Sequence, residues 1–152
     1  MVKRLDMLEG PILLRSKQHS MSFRSEGVLH CMAYGPTRYN LIWVYNNLVV
    51  GAISCTKNTE FETWLTNVYV DSSWRNMKVG RMITEYAVRV MGCNVLTVKA
   101  NNIPAVKLYR NLGFRYICPS PTGSDVMARD GWIASNIPIN HYDTKDPKLE
   151  WS

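Results

Sequence analysis

Three basic side chains, Arg75, Lys78 and Arg81, fall in one short stretch that also contains Gly80. An apolar segment ending at Val70 precedes this stretch and a helical pattern follows it, so the sequence predicts a strand that turns directly into a helix. The first turn of a helix offers unpaired N–H groups and the positive end of the helix dipole. This arrangement predicts a binding site for a phosphate-type anion.

The charge distribution agrees with an anion site at this position. Between Arg75 and Arg115 there are eight lysines or arginines against one acid, Glu85, which gives +7, whereas the whole chain carries +6. Residues 116–152 carry three basic and five acidic side chains. The basic excess therefore lies around the predicted site.

The elements around the site follow from hydrophobic spacing. Helical spacing after the loop predicts a helix that ends at Gly92. Its apolar face is expected to consist of Val79, Met82, Ile83, Tyr86, Ala87, Val90 and Met91. Its polar face is expected to consist of Arg81, Thr84, Glu85 and Arg89. Residues 95–98 predict a buried strand, and a second helix begins near Pro104 and ends at Gly113. This order of strands and helices predicts right-handed crossovers with neighbouring parallel strands.

Apolar segments elsewhere in the chain predict most of the remaining sheet. Strands are expected at 11–16, 63–70, 116–118 and 125–129, and as a hairpin at 41–45 and 48–55. Asn46 and Asn47 would form the tight turn of that hairpin, because asparagine tolerates positive φ. Residues 20–34 show a broken helical pattern around Gly27.

Two motifs resemble one family. Arg75-x-x-Lys78-x-Gly80 is similar to the acetyl-CoA pyrophosphate loop of the GNAT superfamily of N-acetyltransferases, (Arg/Gln)-x-x-Gly-x-(Gly/Ala), except that Lys78 stands in place of the first glycine. A second family motif is matched at every position by Asn102-x-x-Ala105-x-x-Leu108-Tyr109-x-x-x-Gly113-Phe114. If position 78 needs positive φ, the lysine costs about 1 kcal/mol, part of which its charge near a diphosphate would return.

The resemblance implies a fold and a co-substrate. The fold class is α/β (α+β), with a central mixed, mostly antiparallel sheet of six or seven strands, flanked by helices and splayed between the 63–70 and 95–98 strands. The pantetheine arm of acetyl-CoA would enter this splay and hydrogen-bond to the strand backbone like an added strand. The resemblance also implies that residues 20–34 form one wall of the acceptor pocket. The implied co-substrate contacts are Val68, Tyr69, Val70, Arg75, Asn76, Lys78, Val79, Gly80, Arg81 and Asn102, although Asn102 could instead cap its helix.

For catalysis, the resemblance implies Tyr109 as the acid that protonates the departing thiolate; simple packing on the apolar face of its helix is the alternative. Glu62, with Glu60 nearby, is the candidate base, because 60–74 carries three acids and no basic residue. A solvated turn is the alternative for these acids. Deprotonating a lysine amine at pH 7.5 costs roughly 4 kcal/mol, whereas an α-amine costs under about 1. Because the sequence contains no clear general base, it favours an acceptor amine of low pKa or a water relay that removes the amine proton.

The remaining expectations concern organisation and location. We expect a single domain over 1–132 and a C-terminal extension over 133–152, either packed or disordered. The scattered cysteines Cys31, Cys55, Cys93 and Cys118 and three isolated histidines predict no metal site. No signal peptide or membrane span is expected, so the location would be cytoplasmic.

Three functions are open at this point. The first is an N-acetyltransferase that moves an acetyl group from acetyl-CoA to a primary amine of a small molecule or a protein. The second is a catalytically degenerate protein of the same fold that binds CoA or a protein. The third, suggested by a pI of 9.3 and five tryptophans, is a nucleic-acid-binding module, which fits less well because the basic residues gather at a helix start. A homodimer is left open.

Overall fold

The fold is built on one mixed β-sheet. The structure is a computed structural model that describes residues 4–129, residue 132 and the backbone of residues 148–150. Within these residues the sheet has eight strands, β1 (Glu9–Leu14), β2 (Arg38–Tyr45), β3 (Leu48–Thr59), β4 (Glu62–Val70), β5 (Val95–Val98), β6 (Arg115–Pro119), β7 (Asp125–Ala128) and β8 (Lys148–Glu150). Most of the predicted extension 133–152 lies outside the described residues.

The order of the strands is β1-β2-β3-β4-β5-β7-β6, and β8 also pairs with β4. β4 runs parallel to β5 and to β8, whereas the other neighbours are antiparallel. This confirms the predicted mixed, mostly antiparallel sheet, to which β8 adds one strand. The parallel neighbours that we expected after β5 are wrong for β6, because β7 pairs with both β5 and β6 and separates them.

Four α-helices and two short 3-10 helices cover the sheet within the described residues. The bounds are α1 (Lys17–Ser20), α2 (Glu26–His30), α3 (Val79–Arg89) and α4 (Ile103–Asn111), with 3-10 helices at Leu5–Met7 and Ser72–Trp74. The broken pattern at 20–34 thus corresponds to the end of α1 and all of α2. No helix among the described residues is long and apolar enough to span a membrane.

The hairpin between β2 and β3 formed as predicted. Tyr45 pairs with Leu48, and the two residues between them, Asn46 and Asn47, have φ of 49° and 63°. Positive φ at both central positions matches the right-handed twist of the strands that the turn joins. The hairpin therefore sets the register of β2 and β3, which carry much of the core.

The core is divided between the two faces of the sheet. On one face, α3 and α4 pack on buried residues of the central strands, among them Ile53, Val68 and Leu96. On the other face, a smaller cluster around Ile42 and Ala52 is covered by Leu29 and Met32, which lie in and after α2. Alternate residues of β3 and β4 therefore face different helices.

The buried face of α3 differs in two places from the prediction. Thr84, expected on the polar face, is fully buried, and Val90, expected on the apolar face, is 61% exposed. α3 ends at Arg89, so Val90 leaves the helical periodicity. Val88 is buried instead, so the side of α3 that meets the sheet is rotated relative to the predicted stripe. Gly92 has φ of 74°, in agreement with its predicted left-handed conformation.

Candidate functional site

The loop between β4 and α3 is held by local contacts. An oxygen of Asp71 accepts a hydrogen bond from the backbone N–H of Ser73 at 3.1 Å, which begins the 3-10 helix. Trp74, which ends that helix, is 3% exposed and packs edge-on against Tyr45, with 5.6 Å between ring centroids. The loop is therefore fixed to the end of the β2–β3 hairpin on its strand side.

The same loop enters α3 through left-handed backbone. Asn76 and Lys78 have φ of 64° and 65°, so the position where the family motif has glycine does require positive φ. Lys78 is the N-cap residue, and its side chain makes no capping hydrogen bond because an ammonium group has only donors. The first-turn N–H groups of α3 are therefore not satisfied by their own cap and remain suited to an anion.

A close helix–strand contact holds the start of α3 against the sheet. A Cβ atom added at Gly51 of β3 would lie 3.2 Å from Val79 Cγ1 and 3.4 Å from Ile83 Cδ1. Only glycine allows this approach without displacing a neighbour. Val79 and Gly80, the two residues predicted to supply N–H groups, are consequently buried in the first turn.

The three predicted cations have different surroundings. Arg75 is half-buried, and its Nε donates to the backbone oxygen of Val70 at 3.1 Å, so it is tied to the end of β4. Lys78 is exposed at the start of α3. Arg81 is also exposed, and its Nε lies 2.9 Å from Glu85 Oε1 within the helix. Arg75 and Lys78 thus flank the loop, while Arg81 has an intramolecular partner.

β4 and β5 diverge, as predicted. Their parallel pairing is registered at one position, Trp64 with Val95. Further along β4, the backbone pairs instead with β8, in the register Asn67 with Lys148, Val68 with Leu149 and Tyr69 with Glu150. The predicted pantetheine contacts, residues 68–70, therefore lie on the stretch of β4 that borders the divergence, and two of them pair with β8.

Tyr109 lies on the sheet-facing side of α4. Its side chain is fully buried in the same cluster as Val68 and Val79, and its ring packs edge-on against Phe114 at 5.9 Å. Burial, and to a smaller extent the charge of an ionised Cys93, raises the pKa of Tyr109 well above its usual value. The tyrosine therefore keeps its proton and is a weaker acid than an exposed tyrosine. Its role stays a prediction.

Glu62 is not brought to the divergence between β4 and β5. Its Oε1 accepts hydrogen bonds from Trp64 Nε1 at 2.6 Å and from Asn58 Nδ2 at 2.9 Å. Glu62 begins β4 and Val70 ends it, so the two are separated by roughly 26 Å at about 3.3 Å per residue. Glu60 is exposed in the turn before β4. Both acids thus lie at the opposite end of the strand from the anion loop.

Asn102 makes the capping contact that was its alternative role. Its side-chain oxygen accepts from the backbone N–H of Ala105 at 3.4 Å, at the start of α4. Pro104 lies in the first turn, as expected from its position. The amide group of Asn102 therefore has a structural function in this arrangement.

A pocket lies on the opposite face of the sheet from Tyr109, and one of its walls comes from the region 20–34. It has a volume of about 290 Å³ and is lined by Val28, Cys31, Met32, Ala52, Asn67 and Tyr69, together with Gly27. The signal available in the sequence was the alternation along β4, since Asn67 and Tyr69 point away from the cluster that holds Val68 and Val70. The pocket adjoins the stretch of β4 that borders the divergence.

Comparison with known proteins identifies relatives of this arrangement. The profile of the acetyltransferase (GNAT) family matches residues 7–114. Among solved structures, the ribosomal-protein-S18-alanine N-acetyltransferase from Escherichia coli aligns with a TM-score of 0.54 and 22% identity, over 76% of this chain and 83% of that chain. No match was found among curated proteins.

Two further similar structures contain the expected co-substrate or its product. PaiA N-acetyltransferase from Thermoplasma acidophilum, in complex with coenzyme A, aligns with a TM-score of 0.54 and 17% identity, over 62% of this chain and 61% of that chain. A GNAT family acetyltransferase from Elizabethkingia anophelis with acetyl-CoA bound aligns with a TM-score of 0.52 and 16% identity, over 62% of this chain and 76% of that chain. At these identities the structures support the fold alone.

Proposed function

This chain belongs to the acetyltransferase (GNAT) family, and from that premise we propose that it transfers the acetyl group of acetyl-CoA to a primary amine by direct attack on the thioester. The observation that carries the proposal is the loop at Asn76 and Lys78, where left-handed backbone leads from β4 into the uncapped start of α3. The proposed location is the cytoplasm, which the four free thiols support.

The anion loop fits a diphosphate. Backbone N–H groups of Val79 and Gly80 would donate to its oxygens, and the Lys78 ammonium would lie at the same helix start. Arg75, held beside the end of β4 by its bond to Val70, would supply a second cation. Asn76 and Arg81 are assigned to the rim of the site, where Arg81 would exchange its contact with Glu85 for the phosphate.

The pantetheine arm would lie along β4 at Val68, Tyr69 and Val70, where the sheet diverges. Its amide groups can hydrogen-bond to a strand edge as another strand does. β8 uses backbone groups of this same edge at residues 67–69. The arm and β8 cannot bond to the same groups at once, so the proposal requires β8 to leave β4 when acetyl-CoA binds.

The transfer forms a C–N bond to the acceptor and breaks the C–S bond of acetyl-CoA, with loss of a proton from nitrogen and gain of one by sulfur. Tyr109 is proposed to hold the proton that the thiolate takes, supported by its place on α4 within the second family motif. Burial raises its pKa, so the nearby thiolate must be the stronger base for the proton to move. Glu62 stays the candidate base, with an oxygen that accepts from Trp64 at the other end of β4 from the loop. Water along the strand edge is the alternative acceptor of the amine proton, which favours acceptors of low pKa.

Calorimetric titration with acetyl-CoA, followed by turnover assays on an amine panel, tests the proposal. Acetylated product should be detected by mass spectrometry, because the exposed thiol of Cys31 would react with a thiol reagent. Arg75→Ala should raise the Kd for acetyl-CoA about tenfold, the size of a lost charged hydrogen bond. Arg89→Ala is the matched control, since Arg89 ends the same helix and should leave Kd unchanged.

A second set of measurements separates turnover from binding. Tyr109→Phe should lower kcat at least tenfold while leaving the Kd for acetyl-CoA within about twofold of the wild type. Unchanged kcat would remove Tyr109 from the reaction. Tight binding of acetyl-CoA without turnover on any amine would favour the catalytically degenerate alternative, which the lysine at position 78 supports. Retention on nucleic acid in excess acetyl-CoA would favour the third function.

A further inference from the structure

We propose that the pocket between α2 and β4 receives an uncharged aliphatic group of the acceptor. The acceptor class would then be a primary amine whose neighbouring substituent is apolar and carries no second charge. This inference rests on the proposed transfer reaction, because it names the substrate that the reaction would use.

The walls of the pocket come from opposite sides of the site. Val28 lies in α2 and Met32 in the turn after it, and both line the pocket together with Ala52 of β3. Asn67 and Tyr69 close the side that borders the divergence between β4 and β5. An acceptor whose aliphatic group fills the pocket would therefore hold its amine near the β4 edge, where the thioester is proposed to lie.

The chemistry of the lining excludes charged groups. None of the seven residues that line the pocket is Asp, Glu, Lys, Arg or His. A carboxylate or ammonium group of the acceptor would lose water there without gaining an opposite charge, which is unfavourable. An aliphatic group gains free energy by the same transfer. The lining therefore discriminates by charge as well as by shape.

Asp71, Glu26 and His30 are not among the residues that line this pocket. Asp71 Oδ1 lies 3.5 Å from the Tyr69 hydroxyl, while its second oxygen accepts from the N–H of Ser73. Glu26 and His30 are exposed residues of α2 that do not contribute to the lining. The described carboxylates therefore do not contribute to the lining of the pocket.

The volume limits the size of the group. About 290 Å³ is at the lower end of the range for small-molecule pockets, so it suits a group about the size of one apolar side chain. Two sources carry this chemistry: a small aliphatic amine, and the amino terminus of a peptide whose first side chain is apolar. They share the recognised group and differ in what extends beyond it.

Pairs of acceptors matched in amine pKa test the inference on the full chain with saturating acetyl-CoA. Leucinamide should exceed glycinamide in kcat/KM at least tenfold, and n-butylamine should exceed 1,4-diaminobutane at least tenfold. A leucyl peptide amide compared with leucinamide distinguishes the two sources. A higher kcat/KM for the peptide would assign the peptide amino terminus, and a lower one would assign a small amine.

A charge placed in the pocket should reverse the second preference. Val28→Asp should lower the ratio of leucinamide to glycinamide at least tenfold and raise the use of 1,4-diaminobutane. His30→Asp adds the same charge on the same helix outside the lining, so it should leave both ratios unchanged. If Val28→Asp does not fold, Cys31→Asp introduces the carboxylate at an exposed position of the lining and should shift the ratios in the same direction.

The outcomes separate this inference from the function on which it rests. Equal rates within both pairs, a preference for the diamine, or equal effects of Val28→Asp and His30→Asp would overturn the substrate class while leaving acetyl transfer in place. Absence of turnover on every amine, together with no calorimetric signal for acetyl-CoA, would refute the transfer reaction and the inference with it.

Discussion

Replacing Lys78 separates two effects that this residue combines, namely backbone strain and positive charge. Its φ of 65° lies in the left-handed region, which costs a residue with a Cβ about 1–2 kcal/mol relative to glycine. Glycine is also a far better N-cap than alanine. Lys78→Gly should therefore be more stable than Lys78→Ala by about 1–2 kcal/mol, or about 2–8 °C in Tm for a domain of this size.

Both substitutions remove the same charge from the start of α3. If the ammonium group contributes about 0.3–1 kcal/mol to diphosphate binding at this exposed position, both variants should bind acetyl-CoA about two- to fivefold more weakly than the wild type. The difference should shrink as salt is raised, because exposed charges are screened. Urea denaturation gives the stabilities, and calorimetry at low and high salt gives the affinities.

Lys107 supplies the control, because it is exposed in the interior of α4. In a helix interior the order of stability of the two variants should be the opposite one. Lys107→Gly should be about 1 kcal/mol less stable than Lys107→Ala. If Lys78→Gly were no more stable than Lys78→Ala, the strain argument would be refuted. Wild-type affinity in both Lys78 variants would refute the electrostatic argument.

Three other predictions follow from contacts described above. Gly51→Ala should lower the free energy of unfolding by about 1–3 kcal/mol in urea denaturation, since its Cβ would press on Val79, whereas Gly27→Ala, with open space around it, should have little effect. Because the folded pKa of Tyr109 is raised above the unfolded value near 10, stability should fall above about pH 10 by up to 1.4 kcal/mol per pH unit, and Tyr109→Phe should remove this part of the alkaline loss. Deleting residues 148–152 should lower the Kd for acetyl-CoA, since β8 no longer competes for β4; an unchanged or higher Kd would contradict the competition.

Local sequence signals predicted the elements around the anion site because each one acts over a few residues. Asn46 and Asn47 specified a tight turn through their tolerance of positive φ, and the strand at 95–98 has the bounds that were expected. Pro104 and Asn102 marked the start of α4 through helix capping. These signals need no knowledge of the rest of the fold.

Long-range features were not predictable in the same way. Thr84 is buried because the packing of α3 on the sheet sets the rotation of the helix, which overrides the polarity of one hydroxyl. β7 lies between β5 and β6 because of pairing across the sheet, which chain order does not encode. Glu62 begins β4 and Val70 ends it, so an extended strand places them roughly 26 Å apart, a separation that the short distance in sequence does not convey.

The full lining of the pocket was not predictable for a related reason. Its lining combines residues 27–32 with Ala52, Asn67 and Tyr69, which come together only when α2 packs on β3 and β4. The family resemblance placed residues 20–34 along one wall of the acceptor pocket, but their weak helical pattern did not show which residues of the sheet they would meet. The part of the site that would select the acceptor thus depends on tertiary contacts, whereas the anion loop depends on a continuous segment.

The divergence of β4 and β5 also bears on how the domain responds to its ligand. Since their direct pairing is registered only at Trp64 and Val95, the two halves of the sheet are joined by few backbone bonds along this line. A molecule lodged between them would tie β1–β4 to β5–β7. Amide protons of β5 should then exchange more slowly with solvent deuterium when the ligand is bound, even at residues that do not touch it.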